Sequence, residues 1–310
     1  MKRLVVALGI VALLASAGAS SVRADHDPST ECLGASQTIR GTTGNDALVG
    51  TPGPDVIKGL AGDDTIDGGG GRDILCGEEG NDVLVGGDDG DSLDGGLGND
   101  RLDGGPGLDL AFFRWSTAPV TANLTTNSAT GEGTDTFVAL EGLSGSRLND
   151  VLSGDDGDNI LDGVGGDDVL LGQGGIDALD GDAGNDVLNG GPGTDFVYYL
   201  FAPRGITANL GSRKARGWGT DTLRGIEDLE GSPHGDSLTG DARPNELNGA
   251  AGNDRIAGGA GNDLLLGEVG NDSLFGGLGR DGLIGGKGKD RADGGPARDR
   301  CTAERKLRCP

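Results

Sequence analysis

Aspartate recurs in this sequence at an interval of nine residues, at Asp46, Asp55, Asp64, Asp73, Asp82, Asp91, Asp100 and Asp109. The same phase returns at Asp150, Asn159, Asp168, Asp177, Asp186 and Asp195, and again at Asp236, Asn245, Asp254, Asp263, Asp272, Asp281, Asp290 and Asp299. A regular lattice of carboxylates calls for cations. Calcium accepts roughly six to eight oxygens from carboxylates and carbonyls, at about 2.3–2.6 Å and in flexible geometry. Magnesium demands tighter octahedral geometry and keeps its water, whereas zinc and iron prefer nitrogen or sulfur ligands. Such ligands are nearly absent, the only histidines being His26 and His234.

The residues between the acids say what must hold them. Each unit reads Gly-Gly-x-Gly-x-Asp-x-apolar-x, as in GGDDGDSLD followed by GGLGNDRLD over residues 86–103. Glycines in the first half permit positive φ and bend the backbone into a tight turn whose carbonyl oxygens point inward. The aspartate ends the turn. The x-apolar-x triplet then predicts a three-residue strand with its middle side chain in the core, at Leu48, Ile57, Ile66, Leu75, Leu84, Leu93 and Leu102 in the first run. Two units make one coil, so residues 18 apart stack in parallel at about 4.8 Å. The acids then stack as well. Two carboxylates roughly 5 Å apart repel by about 3 kcal/mol at an effective dielectric near 20, and a divalent cation between coils removes the conflict. The candidate ligands are the eight acids of the first run, Asp168, Asp177, Asp186 and Asp195 of the second, and Asp254, Asp263, Asp272, Asp281 and Asp290 of the third. Leu148 and His234 stand where the fourth-position glycine belongs, and Asn159 and Asn245 replace the acid, so binding is expected to be poorest at those repeats.

A fixed period of this kind decides the architecture. The expected fold is an all-β solenoid in three arrays, over residues 41–110, 148–196 and 235–299. Residues 111–147 and 197–234 interrupt the period as two copies of one text. An offset of 86 residues maps Ala122-Asn123-Leu124 onto Ala208-Asn209-Leu210, and Thr134-Asp135-Thr136 onto Thr220-Asp221-Thr222. Alternation in Val120–Leu124 and Ile206–Leu210 predicts strands, and eight of the ten aromatics fall in these breaks with a ninth, Phe196, directly before the second, so they are expected to be wider rungs of the solenoid with a fatter core. Residues 25–40 and 300–310 are expected to cap the two ends.

Composition agrees: 65 glycines and 3% aromatics cannot build an ordinary globular core, but a slim solenoid core can be built. The net charge of −25 excludes nucleic acid as a partner, since phosphate binding needs a basic face. Met1-Lys2-Arg3, an apolar run from Leu4 to about Ala17 and small-residue cleavage sites near Ala19 and Ala24 predict a secretory signal peptide over residues 1–24. No later stretch is apolar for long enough to span a membrane. An oxidising location permits disulfides among Cys32, Cys76, Cys301 and Cys309. Cys301 is expected to bond Cys309, which lies close by in the final cap, whereas pairing of Cys32 with Cys76 stays open.

GGLGNDRLD, GGAGNDLLL and GGLGRDGLI resemble the RTX (repeats-in-toxin) nonapeptide, the hemolysin-type calcium-binding repeat, over nearly the whole chain after residue 40. The resemblance implies a right-handed parallel β-roll with multiple calcium ions in its turns, held by the aspartates and by turn carbonyls of neighbouring coils. It leaves the biological role open, because such arrays accompany toxins, proteases, lipases and adhesins alike. An N-terminal signal peptide departs from the C-terminal export signal usual in that family. Enzyme motifs are missing: no HExxH, no GxSxG and no phosphate-binding glycine loop occurs, and the Gly-Asp-Ser-Leu at 90–93 and 235–238 is what the repeat frame yields when serine follows the acid. The expectation is a secreted, monomeric, non-enzymatic structural or interaction module with a cell-surface or glycan partner. The alternative is an extracellular polysaccharide-acting enzyme or adhesin on the same scaffold.

Overall fold

The computed structural model describes residues 31–309; the signal peptide read from residues 1–24 lies outside them. Every regular element among the described residues is a β-strand, so no helix there is long and apolar enough to cross a membrane. The chain divides into two compact units, residues 1–165 and 166–310.

In the first unit the nonapeptides alternate between two parallel sheets. One runs through Ile39–Arg40, Val56–Ala61, Ile74–Glu79, Ser92–Leu97 and Leu110–Phe112, and the other through Ala47–Val49, Thr65–Gly70, Val83–Asp88 and Arg101–Asp103. Register is set by the apolar position. Leu48 pairs with Ile66, Ile66 with Leu84 and Leu84 with Leu102 on one side, while Ile57 pairs with Leu75 and Leu75 with Leu93 on the other. Apart from the half-buried Leu48 at the edge, these side chains are fully buried, and they form the core. Paired residues are 18 apart, so two repeats make one coil as expected. Several strands are longer than the triplet, because pairing runs on through the glycines, as at Gly69 with Gly87. Truncation of such a core residue leaves a cavity that the neighbouring coils cannot fill. Leu84→Ala is therefore expected to lower stability in calcium by about 3 kcal/mol in urea unfolding.

The second unit repeats the plan. Leu238, Ile256, Leu274 and Ala292 pair in succession in one sheet, and Leu229, Leu247, Leu265, Leu283 and Cys301 in the other.

The two breaks are built from strands and do make wider rungs, Leu110 pairing in parallel with Gly142 and Phe196 with Asp228, but each contains a reversal that alternation does not carry. Thr121–Asn123 turns back antiparallel onto Ser128–Thr130, which pairs antiparallel with Thr134–Val138. Thr134–Val138 then rejoins the parallel sheet beside Arg101–Asp103, and Thr121–Asn123 lies parallel to Val151–Ser153. The reversal has a local cause. Asn123 Oδ1 accepts the Thr126 amide at 2.8 Å, and Asn127 takes a left-handed φ of 52°. The second break copies this with Thr207–Asn209, Lys214–Arg216 and Thr220–Arg224, its turn held by Asn209 Oδ1 and the Ser212 amide. The core does thicken there: Phe112, Tyr198 and Tyr199 are among the largest fully buried side chains.

Both ends are stapled. Glu31–Cys32 and Ala35–Ser36 form a small antiparallel hairpin, and Cys32 is bonded to Cys76 across 44 residues. Arg305–Leu307 pairs with Arg291–Asp293, and Cys301 is bonded to Cys309 as the sequence predicts. Because a bridge restricts the unfolded chain more when it closes a longer loop, C32S/C76S is expected to cost about 3–4 kcal/mol. C301S/C309S should cost less, and paired urea titrations of the two variants in calcium check the order.

Candidate metal centres

Each turn sits between two strands and ends on the repeat's aspartate. In Gly77-Glu78-Glu79-Gly80-Asn81-Asp82, the second residue has a φ of 81°, and in the next repeat the corresponding Gly87 has 114°. Its left-handed conformation points its amide away from the carboxylate. Gly87, for example, donates to Gly104 O at 3.0 Å.

The aspartates are fixed by one another's backbones. The amide of Asp46 donates to Asp64 Oδ1, that of Asp64 to Asp82 Oδ1 and that of Asp82 to Asp100 Oδ1, at 2.7–2.8 Å. Asp55, Asp73, Asp91 and Asp109 form the matching ladder on the other side. In the second unit the ladders link Asp168 to Asp186, Asp177 to Asp195, Asp254 through Asp272 to Asp290, and Asp263 through Asp281 to Asp299. Asp299, which is not among the candidate ligands, holds the same position as the rest. A second ladder runs outside in the opposite sense, with Asn81 N donating to Asp63 Oδ1 and Asn99 N to Asn81 Oδ1.

One carboxylate oxygen is thereby used and the other is left over. Oδ2 of Asp64, Asp73, Asp82, Asp91, Asp100 and Asp109 is buried without a hydrogen-bond partner, as is Oδ2 of Asp186, Asp254, Asp263, Asp272, Asp281, Asp290 and Asp299. Burying an unsatisfied anionic oxygen is costly, so a row of them marks positions where a positive charge belongs. Each faces a cradle beside the first glycine of its own turn. A Cβ added to Gly77 would stand 2.2 Å from Asp82 Oδ2 and 2.6 Å from Gly95 O one coil on, and one added to Gly258 would stand 2.3 Å from Asp263 Oδ2 and 2.7 Å from Gly276 O. Glycine keeps that space clear, and a carboxylate and a carbonyl oxygen converge on it.

The charge state agrees. Burial, with the carboxylates of adjacent coils adding to it, pushes Asp82 and Asp91 up to about 7 against partial relief from the laddered amides. Asp109, Asp186 and Asp254 are likewise raised to about 7, and Asp73, Asp100 and Asp263 to about 6. Among the described residues no three His, Cys, Asp or Glu side chains gather as one metal-holding group. A cation here would be completed by backbone oxygens, which suits calcium and excludes a site made of side chains alone.

Two expected ligands differ. Asp46 and Asp55 have their Oδ2 taken by the amides of Thr42 and Thr51, each at 2.6 Å, and Thr42 Oγ1 also reaches Asp46 Oδ2 at 2.9 Å. Threonine stands there in place of the second glycine and does not take positive φ, so its amide turns inward onto the carboxylate. Asp150 and Asp236, where binding is expected to be poorest, are satisfied in the same way by Ser146 and Ser232.

Four acids of the ladders escaped the nonapeptide register because they lie in the breaks. Asp135 Oδ1 accepts the Asp100 amide at 3.0 Å and Glu141 Oε2 the Asp109 amide at 2.9 Å. Asp221 and Glu227 do the same for Asp186 and Asp195. Their signal is the repetition itself, since both breaks carry the acids at the same offset of 86 residues. Glu304 continues the ladder from Asp290 in the final cap.

A comparison with protein families finds the RTX calcium-binding nonapeptide repeat at residues 40–75, 77–111, 143–170, 171–199, 230–265 and 266–301, well over half of the chain. The chain belongs to that family. A search of curated proteins finds no match. This RTX chain is accordingly a calcium-binding repeat protein built as β-solenoids of parallel coils, and its matched segments carry all the aspartates of the nonapeptide register. Residues 112–142 and 200–229, which make up most of the two breaks, fall between them.

Proposed function

We propose that this RTX chain is a secreted, non-enzymatic calcium-binding solenoid that folds as it takes up calcium and serves outside the cell as a structural or interaction module. The observation that carries the reading is the row of buried, unpartnered Oδ2 atoms in successive coils, since only a cation can satisfy them all at once. The charged N-terminal tripeptide, the short apolar run and the two disulfides support an oxidising location beyond the membrane. The test expresses the full chain with its N-terminal segment in a secreting host. N-terminal sequencing of the protein in the medium is expected to begin at Ser20 or Asp25, and equilibrium dialysis of that protein to find several bound calcium ions. Retention of Met1–Ala19 on an intracellular product would overturn the location, and absence of bound calcium would overturn the function.

A glycan partner has one observation in its favour. A cavity of about 270 Å³ is lined by Phe113 and Trp115 beside Glu78, Glu79, Asp94 and Glu132. Its carboxylates repel a polyuronate, so an acidic polysaccharide is the wrong substrate for it, and a neutral sugar stacked on Trp115 is the better fit.

A further inference from the structure

The turns are of two kinds, and the second residue of the repeat sorts them. In six turns this residue is Thr42, Thr51, Ser146, Asp155, Ser232 or Asp241, and none of the six has positive φ. In every one its amide donates to the side-chain oxygen at the sixth position, in Asp46, Asp55, Asp150, Asn159, Asp236 and Asn245 respectively, at 2.5–2.8 Å. In every one, too, its own side-chain oxygen accepts the amide two residues on, from Gly44, Gly53, Leu148, Gly157, His234 and Arg243. These turns are closed by their own hydrogen bonds. All other repeats have a positive-φ second residue, whether glycine, as at Gly69 and Gly277, or not, as at Leu60, Glu78, Gln173 and Glu268.

Residue type alone does not decide the matter. Asp182 could close its turn but has a φ of 54°, because its amide is drawn to Asp180 Oδ1 instead. The first glycine has similar surroundings in both kinds, with Asp46 Oδ2 2.8 Å and Gly59 O 2.4 Å from a Cβ built on Gly41. What differs is the amide hydrogen, which in a closed turn places positive charge on the oxygen a cation would need.

The closed turns occur in pairs nine residues apart. They are the turns of the first two repeats of each of the three runs of the aspartate phase, at 41–55, 145–159 and 231–245, which is one full coil apiece. We propose that each array opens with a coil that takes no calcium, its two turns satisfied by their own amides, and that calcium enters only at the positive-φ turns that follow. This deepens, and rests on, the calcium reading above. Asn159 and Asn245 argue for it independently. Asparagine replaces the acid in two of the six closed turns and in none of the others, so the closed turns have no use for the charge. Asn245 shows what the neutral side chain does instead, as its Nδ2 donates to Glu227 O at 2.7 Å.

Native mass spectrometry of the full chain in calcium counts the ions. The closed-turn variant D46N/D55N is expected to hold as many ions as wild type, since Asn Oδ1 can still accept the Thr42 and Thr51 amides. The open-turn variant D64N/D73N, one coil further on, is expected to hold fewer. A second variant, T42G/T51G, restores the glycine of the open turns and is expected to hold more ions than wild type. Loss of ions from D46N/D55N equal to that from D64N/D73N overturns the inference, as does an unchanged count in T42G/T51G. A wild-type chain that holds no calcium defeats the proposed function itself, which separates the two failures.

Discussion

Removal of calcium at neutral pH is expected to abolish the β structure of the chain, read as loss of the far-ultraviolet circular dichroism minimum, and addition of calcium to restore it cooperatively. Stacked carboxylates at strand spacing repel by about 3 kcal/mol per pair when no cation lies between them. The ladders repeat that conflict from Asp64 to Asp100, from Asp73 to Asp109 and from Asp254 to Asp290. Against it the fold offers one buried aliphatic side chain per nine residues, on a glycine-rich backbone whose ordering entropy is unusually large. Calcium binding energy then becomes folding energy, and because each coil is the template for the next, the transition should be steep in metal. The effect should reach most of the chain. A β spectrum that persists in excess chelator, unchanged by calcium, would sink the prediction.

Much of this was legible because the period is both a chemical and a geometric fact. Nine residues with one aspartate and one aliphatic predict the coil, the register of Leu75 on Leu93 and the stacking of Asp73 on Asp91, since a parallel ladder admits few other arrangements of that text. The departures have local causes that a period cannot carry. Asn123 and Asn127 turn a strand back on itself where alternation alone suggests a continuous rung. Thr42 and Thr51 look like tolerated glycine replacements in the sequence, yet each redirects one amide and so changes what its aspartate can do. Glu141 and Glu227 enter the ladders with a longer side chain from outside the register, which a search for aspartate at fixed spacing passes over.

Acid should partly replace calcium. The laddered carboxyls are raised from an ordinary value of 3.8 to about 7 at Asp82, Asp91, Asp109, Asp186 and Asp254, first by burial and then by neighbouring carboxylates. The folded, metal-free chain therefore binds more protons than the unfolded chain between these two values, and its stability must fall as pH rises through that window. Lowering the pH neutralises the buried oxygens and removes the same repulsion that calcium removes, without providing its bridging bonds. In excess chelator, the chain is thus expected to regain β signal as the pH is brought from about 8 to about 5.5. The recovery should be smaller and less cooperative than that produced by calcium at neutral pH, because protonation is distributed over many separate sites. Circular dichroism with size-exclusion chromatography, to separate folding from aggregation nearer the isoelectric point of about 4.2, makes the comparison. The opposite sign, with β structure lost on acidification in chelator, would mean that the aspartates are stabilised as anions in the metal-free fold and that burial does not govern them.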